Sequence, residues 1–309
     1  MRALTCYIAA GVLVAAASMS ARAETLAYGE AFDTLYRIDL AQPAASKLGV
    51  AGRYAGQSIA NVSGLTTMPD GSLLAIAGSI KALVRIDPAT GQATPIGPLG
   101  IDGGSGQFDA LDLGMTATCT GGLYLSSGVL QSLYSVNPGT GAATRIGATG
   151  VAISGLAERG GVLFGAGAKG DHHLYRINPR TGATSTVGAF GPAASKWINS
   201  AALSFDDDGT LWAVLNYVPP QNENTPPPDW SDLARINPAT GELEMVGPIT
   251  GPVDSLRQIG MKGFTIGPTS CARPSAAPNP APVDSWWALS LLGLGLAGLV
   301  ARTRRIRAA

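Results

Sequence analysis

The chain has 309 residues, of which only 14% are charged and 41 are glycine. Its formal net charge is zero, yet six of the 21 basic residues are Arg2, Arg22, Arg302, Arg304, Arg305 and Arg307, so residues 24–301 carry 15 basic against 21 acidic side chains. A body with a charge of −6 and no basic stripe excludes the electrostatics on which nucleic-acid binding rests, and its glycine content asks for many tight turns rather than long helices.

Residues 1–23 read as a signal peptide. Arg2 supplies the positive start, Ile8 to Ala17 the apolar stretch, and Ala21-Arg22-Ala23 the small-x-small cleavage site, so Glu24 is the expected first residue of the mature protein and Cys6 is lost. An uncleaved membrane anchor is the alternative, disfavoured by so short an apolar run.

Five near-copies of one phrase follow. They begin at Leu35, Leu83, Leu133, Leu174 and Leu233, with spacings of 48, 50, 41 and 59 residues. The fullest copies read Leu-x-Arg-Ile-Asp/Asn-Pro-x-Thr-Gly. The apolar start suits a strand. Asp or Asn captures the backbone ahead of it and starts a turn, Pro sets φ for the next position, and Gly closes it. This predicts a four-residue hairpin loop leading to an outer strand that ends in Gly, such as Ala93-Thr94-Pro95-Ile96-Gly97, where an edge tolerates the proline. A second hairpin precedes each phrase, as in Ser63–Met68, Pro69-Asp70-Gly71, Ser72–Ile76.

Four strands per unit at this period predict an all-β fold, a β-propeller spanning residues 24–269. The first phrase lacks an inner strand, and a spare one stands at Ile259–Ile266. The expectation is that it pairs into the first blade and closes a five-bladed ring, removing an open edge. Six blades remain the alternative, with a degenerate unit in 98–112 or 189–200.

Candidate chemistry is sparse. Asp102, Asp109 and Asp112 lie in one Gly-rich connection and admit weak calcium binding; otherwise no cofactor is expected. Cys119 and Cys271 both follow an inner strand and are a candidate disulfide, with a free buried Cys119 as the alternative. His172 and His173 are adjacent, so on a strand they point to opposite faces and do not chelate one metal. Asp206-Asp207-Asp208-Gly209 occupies a hairpin slot and lacks the alternation of a calcium loop. Arg37, Arg85, Arg176 and Arg235 recur at one blade position, broken by Ser135, and read as packed structural arginines rather than an anion ring. The insertion 218–230, with Asn222, Glu223, Asp229 and Trp230, reads as an exposed interaction loop. Lactonase-like propellers hold axial calcium with Glu and Asn; the inner-strand ends here offer only Asn61, Asn199 and Glu158.

Residues 270–284 form a Pro/Ala-rich linker, and 285–309 an apolar run followed by an arginine cluster, the pattern of a transmembrane helix with a cytoplasmic end. Pro282, Ser285, Trp287 and Ala288, with Arg302, Arg304 and Arg305 beyond the helix, resemble the IPTL-CTERM sorting domain of Gram-negative bacteria, a relative of PEP-CTERM. Ala281, Val283, Asp284 and Trp286 stand where that pattern usually has Ile, Thr, Leu and Glu. The resemblance covers about 281–309 and implies processing by an exosortase-like membrane transpeptidase, with transient inner-membrane anchoring and release to the cell surface or an exopolysaccharide matrix. A plain membrane anchor is the alternative. The functional expectation is an exported binding module whose partner is exopolysaccharide or a surface protein; a calcium-dependent hydrolase or lactonase and an anchored structural protein are the alternatives.

Overall fold

The structure, a computed structural model, describes residues 26–102, 111–217, 230–251 and 260–267. The sorting-signal residues, Asp109, Cys271, Asn222, Glu223 and Asp229 lie outside them. Among the described residues there is no α-helix, and none is long and apolar enough to cross a membrane.

The strands in chain order are β1 (Leu26–Ala31), β2 (Thr34–Asp39) and β3 (Ala44–Val50), then a small hairpin of β4 (Arg53–Tyr54) and β5 (Gln57–Ser58). Next come β6 (Val62–Thr67), β7 (Leu73–Ala77), β8 (Ala82–Ile86) and β9 (Ala93–Pro98), followed by β10 (Leu113–Ala117), β11 (Leu123–Ser127), β12 (Ser132–Val136) and β13 (Ala143–Ala148). The last group is β14 (Ile153–Arg159), β15 (Val162–Gly167), β16 (His173–Ile177), β17 (Thr184–Ala189), β18 (Ser200–Phe205), β19 (Leu211–Asn216), β20 (Ser231–Ile236), β21 (Leu243–Pro248) and β22 (Gly263–Gly267). They form five four-stranded antiparallel sheets, β22-β1-β2-β3, β6 to β9, β10 to β13, β14 to β17 and β18 to β21, which are blades 1 to 5.

The chain is therefore a five-bladed β-propeller, and the six-blade alternative falls: the stretches it invoked, as far as they are described, are connections. The closure is as expected. β22 pairs antiparallel with β1 from Leu26↔Gly267 to Glu30↔Gly263. Its ladder starts at Gly263, later than the expected Ile259, because the residues just before it are tied to blade 5: the Met261 N–H donates to Ser231 Oγ, and Asn216 Nδ2 donates to the Met261 carbonyl.

The repeated turn folds for the reason its residues suggest. The Asp or Asn after each phrase accepts the backbone N–H two residues ahead, at 2.8–2.9 Å in all five copies, from Asp39 to Asn237. In blade 2 the Asp87 N–H donates to Gln92 O and Gly91 N–H to Asp87 O, which leaves the four-residue loop 88–91.

The Thr-Gly pair has a second role that the turn alone does not require. The glycine ending each outer strand sits opposite the phrase's leucine at a β-bulge, as in Leu83↔Gly97 and Leu133↔Gly147. There it presses against the Thr-Gly turn of the following blade. A Cβ added at Gly97 would lie 2.1 Å from Thr140 O, and the same clash recurs from Gly49 to Thr90, Gly147 to Thr181 and Gly188 to Thr240. Blade 1 has no Thr-Gly turn, and the last joint is made by Pro43 and Thr250 instead. Gly97→Ala should therefore cost about 1–3 kcal/mol by overpacking, read as a melting temperature lowered by roughly 3–10 °C. An unchanged melting temperature would show that the blades do not meet there.

Five apolar clusters fill the five gaps between neighbouring blades, for example Leu65 with Leu35 and Leu73 between blades 1 and 2, and Phe264 with Trp212 and Ile38 between blades 5 and 1. The core is thus a ring of interfaces. Inner strands are also stitched sideways by hydroxyls: Ala117 N–H to Thr66 Oγ1, Thr67 N–H to Thr265 Oγ1, Ala201 N–H to Ser154 Oγ and Ile266 N–H to Ser204 Oγ.

Candidate functional site

The inner strands run parallel to one another around the axis, so their starting ends share one face, here called the mouth. The hairpin turns of the phrases share the other, the turn face. Each inner strand carries a small residue followed by a large apolar one: Gly64-Leu65, Gly114-Met115, Gly155-Leu156, Ala202-Leu203 and Gly263-Phe264. The small residues let adjacent strands touch. A Cβ on Gly155 would lie 2.2 Å from Ala201 O, and one on Gly114 2.5 Å from Ser154 O. The large residues turn into the gaps between blades. Among the described residues the axis is consequently drawn shut at this level, and a cavity bordered there by Gly64, Gly114, Gly155 and Lys262 has room for about one water.

Charge caps the mouth. Asp112, at the start of β10 with φ of 43°, is 5% exposed and is shared by Lys262 Nζ at 3.3 Å and Lys169 Nζ at 3.7 Å. These three residues come from blades 3, 1 and 4. Among the described residues, two cations thus share one carboxylate.

Beside the cap, loop 168–172 of blade 4 runs along residues 197–199 of the connection into blade 5. Lys169 N–H donates to Asn199 O and Gly170 N–H to Ile198 O, both at 2.9 Å. The indole of Trp197, 36% exposed, lies against Gly170, where an added Cβ would come within 2.7 Å of Nε1. In the same loop, Asp171 accepts the Tyr175 hydroxyl and pairs with His173 Nδ1, each at 2.7 Å. In blade 5, Asp232 accepts Lys196 Nζ at 2.9 Å, and that ammonium lies 4.5 Å from the centroid of the Tyr217 ring. Burial, reinforced by the carboxylate beside each, pushes both tyrosine hydroxyls well above their ordinary range, so both remain donors.

The mouth also collects the exposed apolar side chains. Of the seven large ones among the described residues, Phe32, Val50, Tyr54, Val129, Leu130 and Trp197 are on this face, and only Val162 is on the turn face.

Glu30 on β1 is wholly buried between blades 1 and 2, and neither carboxylate oxygen has a hydrogen-bond partner among the described residues. Burial, with the charge of Asp33 adding to it, pushes it up to about 8. The same slot opposite the phrase's leucine holds Ile76, Ser126, Ala166 and Val214 in blades 2 to 5. The Glu30 carbonyl accepts the N–H of Lys262, the cap residue, at 3.0 Å.

The candidates named from the sequence thus separate. Asp112 is held by lysines, and Asp102 is exposed at the start of the same connection. No group of three or more acidic, histidine or cysteine ligands occurs among the described residues. Asn61 and Asn199 stand at the mouth, but Glu158 is in a hairpin on the turn face, where its carboxylate caps Gly161 N–H; the three are not brought together. His172 and His173 diverge: His172 Nε2 meets Ile198 N–H while His173 turns to Asp171. Asp206 organises a hairpin through Thr210 N–H and Trp212 Nε1. The recurring arginines lie on the third strand, away from the axis; two of them stack over a side chain of the neighbouring strand, Arg235 over Trp212 at 4.5 Å and Arg176 over Phe164 at 5.8 Å. Cys119 is disulfide-bonded in a turn-face hairpin. The Trp230 carbonyl accepts Tyr217 N–H at the root of the insertion. Sequence reasoning missed Glu30, Trp197 and the Lys196–Asp232–Tyr217 group; the one available signal was Glu30, an acid inside an otherwise apolar strand.

No family model matches the chain, and no curated protein matches it. Among solved structures, a chain of a nidogen/laminin complex aligns over 80% of this chain and 100% of its own length, at 13% identity and a TM-score of 0.50. Virginiamycin B lyase from Staphylococcus aureus aligns over 70% of this chain and 63% of its own, at 14% identity and a TM-score of 0.41. A gluconolactonase from Xanthomonas campestris aligns over 74% and 78%, at 15% identity and a TM-score of 0.42. At such identities the likeness is one of fold alone, and that fold is the β-propeller.

Proposed function

We propose that this chain is an exported binding module that presents its mouth face to a partner at the cell surface or in the extracellular matrix. The observation that carries the reading is the pairing of a shut axis with a mouth face bearing six of the seven exposed large apolar side chains among the described residues. A propeller that seals its channel has its recognition chemistry on the outside, and apolar side chains gathered on one face favour a docking surface over scattered solvent exposure. The signal-like N-terminus, the linker and the C-terminal resemblance support delivery through an exosortase-like transpeptidase, with the helix anchored only until processing.

The test compares purified full chain with variants bearing a new charge on either face, by cosedimentation with extracellular matrix from the producing cells. Leu130→Asp and Phe32→Asp should lower the bound fraction about tenfold, the loss of one or two apolar anchors. Val162→Asp, on the turn face, should leave it unchanged. Equal binding of all three, or calcium-dependent hydrolysis of lactones by the purified chain, would overturn the reading.

A further inference from the structure

The closing strand ends on the turn face, where Gly267 pairs with Leu26. Two hydroxyl ties bring that end close to blade 3. At the end of β6, Thr66 Oγ1 accepts the Ala117 N–H at 2.9 Å, and the Thr67 N–H donates to Thr265 Oγ1 at 3.0 Å. Gly267 itself lies against the Thr67 side chain, where an added Cβ would come within 2.4 Å of Oγ1. Thr66 and Thr67 thus hold the last residue of β10 and the end of β22. Two residues beyond Ala117 stands Cys119, exposed in the β10–β11 hairpin and disulfide-bonded. That hairpin is fixed by Thr118 N–H to Gly122 O and Gly121 N–H to Thr118 O. The other cysteines of the chain, Cys6 and Cys271, lie outside the described residues. Cys6 belongs to the segment read as a cleaved signal, whereas Cys271 follows Gly267 by four residues, a reach of about 13 Å. A disulfide asks for Cα atoms within about 7 Å, so the tail is long enough to meet the hairpin.

We propose that Cys119 is bonded to Cys271, and that this bridge is a covalent bolt fastening the end of the closing strand in blade 1 to blade 3. The apolar clusters join neighbouring blades, whereas the bolt skips blade 2 and ties the ring across its turn face. Forming it takes one proton from each thiol and two electrons from the pair. The electrons pass to the disulfide of a thiol oxidant, which leaves as a dithiol. Cys271 precedes Pro282, so processing at the sorting motif would leave the bolt on the ring. The linker then departs from the turn face, and the mouth points away from whatever holds the tail. The proposal rests on the export part of the reading above, since such a bond persists outside a reducing cytoplasm.

Full chain is collected from exporting cells, its free thiols are alkylated, and its peptides are mapped without reductant. The peptide carrying Cys119 should appear joined to the one carrying Cys271 and part from it on reduction. A free Cys119, a bond to Cys6 or a bond to a second copy overturns the pairing. Reductant should lower the melting temperature of the parent by roughly 5–15 °C, the effect of opening so long a loop. Cys119→Ser and Cys271→Ser should each melt where the reduced parent melts, and the double variant no lower, because one bond is lost in all three. A parent that melts alike with and without reductant overturns the bolt. Matrix cosedimentation separates this proposal from the binding reading. An absent bridge, with binding still sensitive to Leu130→Asp, removes the bolt alone; a present bridge without matrix binding removes the binding reading and keeps the bolt.

Discussion

Deleting residues 260–267 is expected to leave no cooperatively folded protein. That segment supplies the inner strand of blade 1, pairing with β1 from Glu30 to Leu26. Phe264 and Ile266 are each 1% exposed, and burying such side chains is worth about 1.5–3 kcal/mol apiece. Their loss would also lay open the cluster between blades 5 and 1, which includes Trp212, Val214 and Ile38, and would cut the hydroxyl ties from Thr265 to Thr67 and from Ser204 to Ile266. Against a total stability of about 5–15 kcal/mol for a domain, this is enough to unfold the ring. Phe264→Ala is the graded version. It should cost about 3–5 kcal/mol and keep a single urea transition at a lower midpoint. Circular dichroism with urea titration reads both variants. A deletion variant with an unchanged midpoint would mean that the ring is not locked by this strand.

The architecture was legible because the turn chemistry and the strand pattern are local. Asp87, Asn137, Asn178 and Asn237 fold their own loops, so their recurrence counts blades directly, and the missing inner strand before Leu35 pointed to Ile259–Ile266. Less legible was the reason for the glycine ending each outer strand. Its constraint comes from the next blade's threonine carbonyl, some 40 residues away in sequence, as with Gly97 and Thr140. The shut axis was also written in the chain, as five small-large dipeptides, but its meaning appears only when five strands converge. The site was read least well. Asp102, Asp109 and Asp112 drew attention as neighbouring acids, yet Asp112 meets Lys169 and Lys262, which arrive from two other blades.

Stability should fall as pH rises from about 4.5 to about 8, and Glu30 should be the cause. In the folded chain its carboxyl is raised to about 8, by burial first and by Asp33 second, against an ordinary value of 4.5. Within that window the folded state holds a proton that the unfolded state has released, so each rise in pH draws the equilibrium toward unfolding. Below the window both states are protonated and above it both are ionised, so the slope from this group vanishes at either end. A shift of this size corresponds to a loss on the order of 5 kcal/mol across the window. Urea unfolding of the parent at pH 5 and pH 8 measures it. Glu30→Gln should flatten the profile, because the amide does not titrate, and Glu30→Val, which installs the residue that blade 5 carries at Val214, should be more stable than the parent at pH 8. An equal slope in parent and Glu30→Gln would assign the pH dependence to another group. The position also bears on the mouth. Glu30 holds Lys262 through its carbonyl, and Lys262 holds Asp112, so the buried carboxyl lies on the strand to which the cap is tied. Because the folded chain keeps this carboxyl protonated until about pH 8, matrix binding by the parent should stay level between pH 5 and pH 7 while stability falls, and Glu30→Val should extend that level range past pH 8.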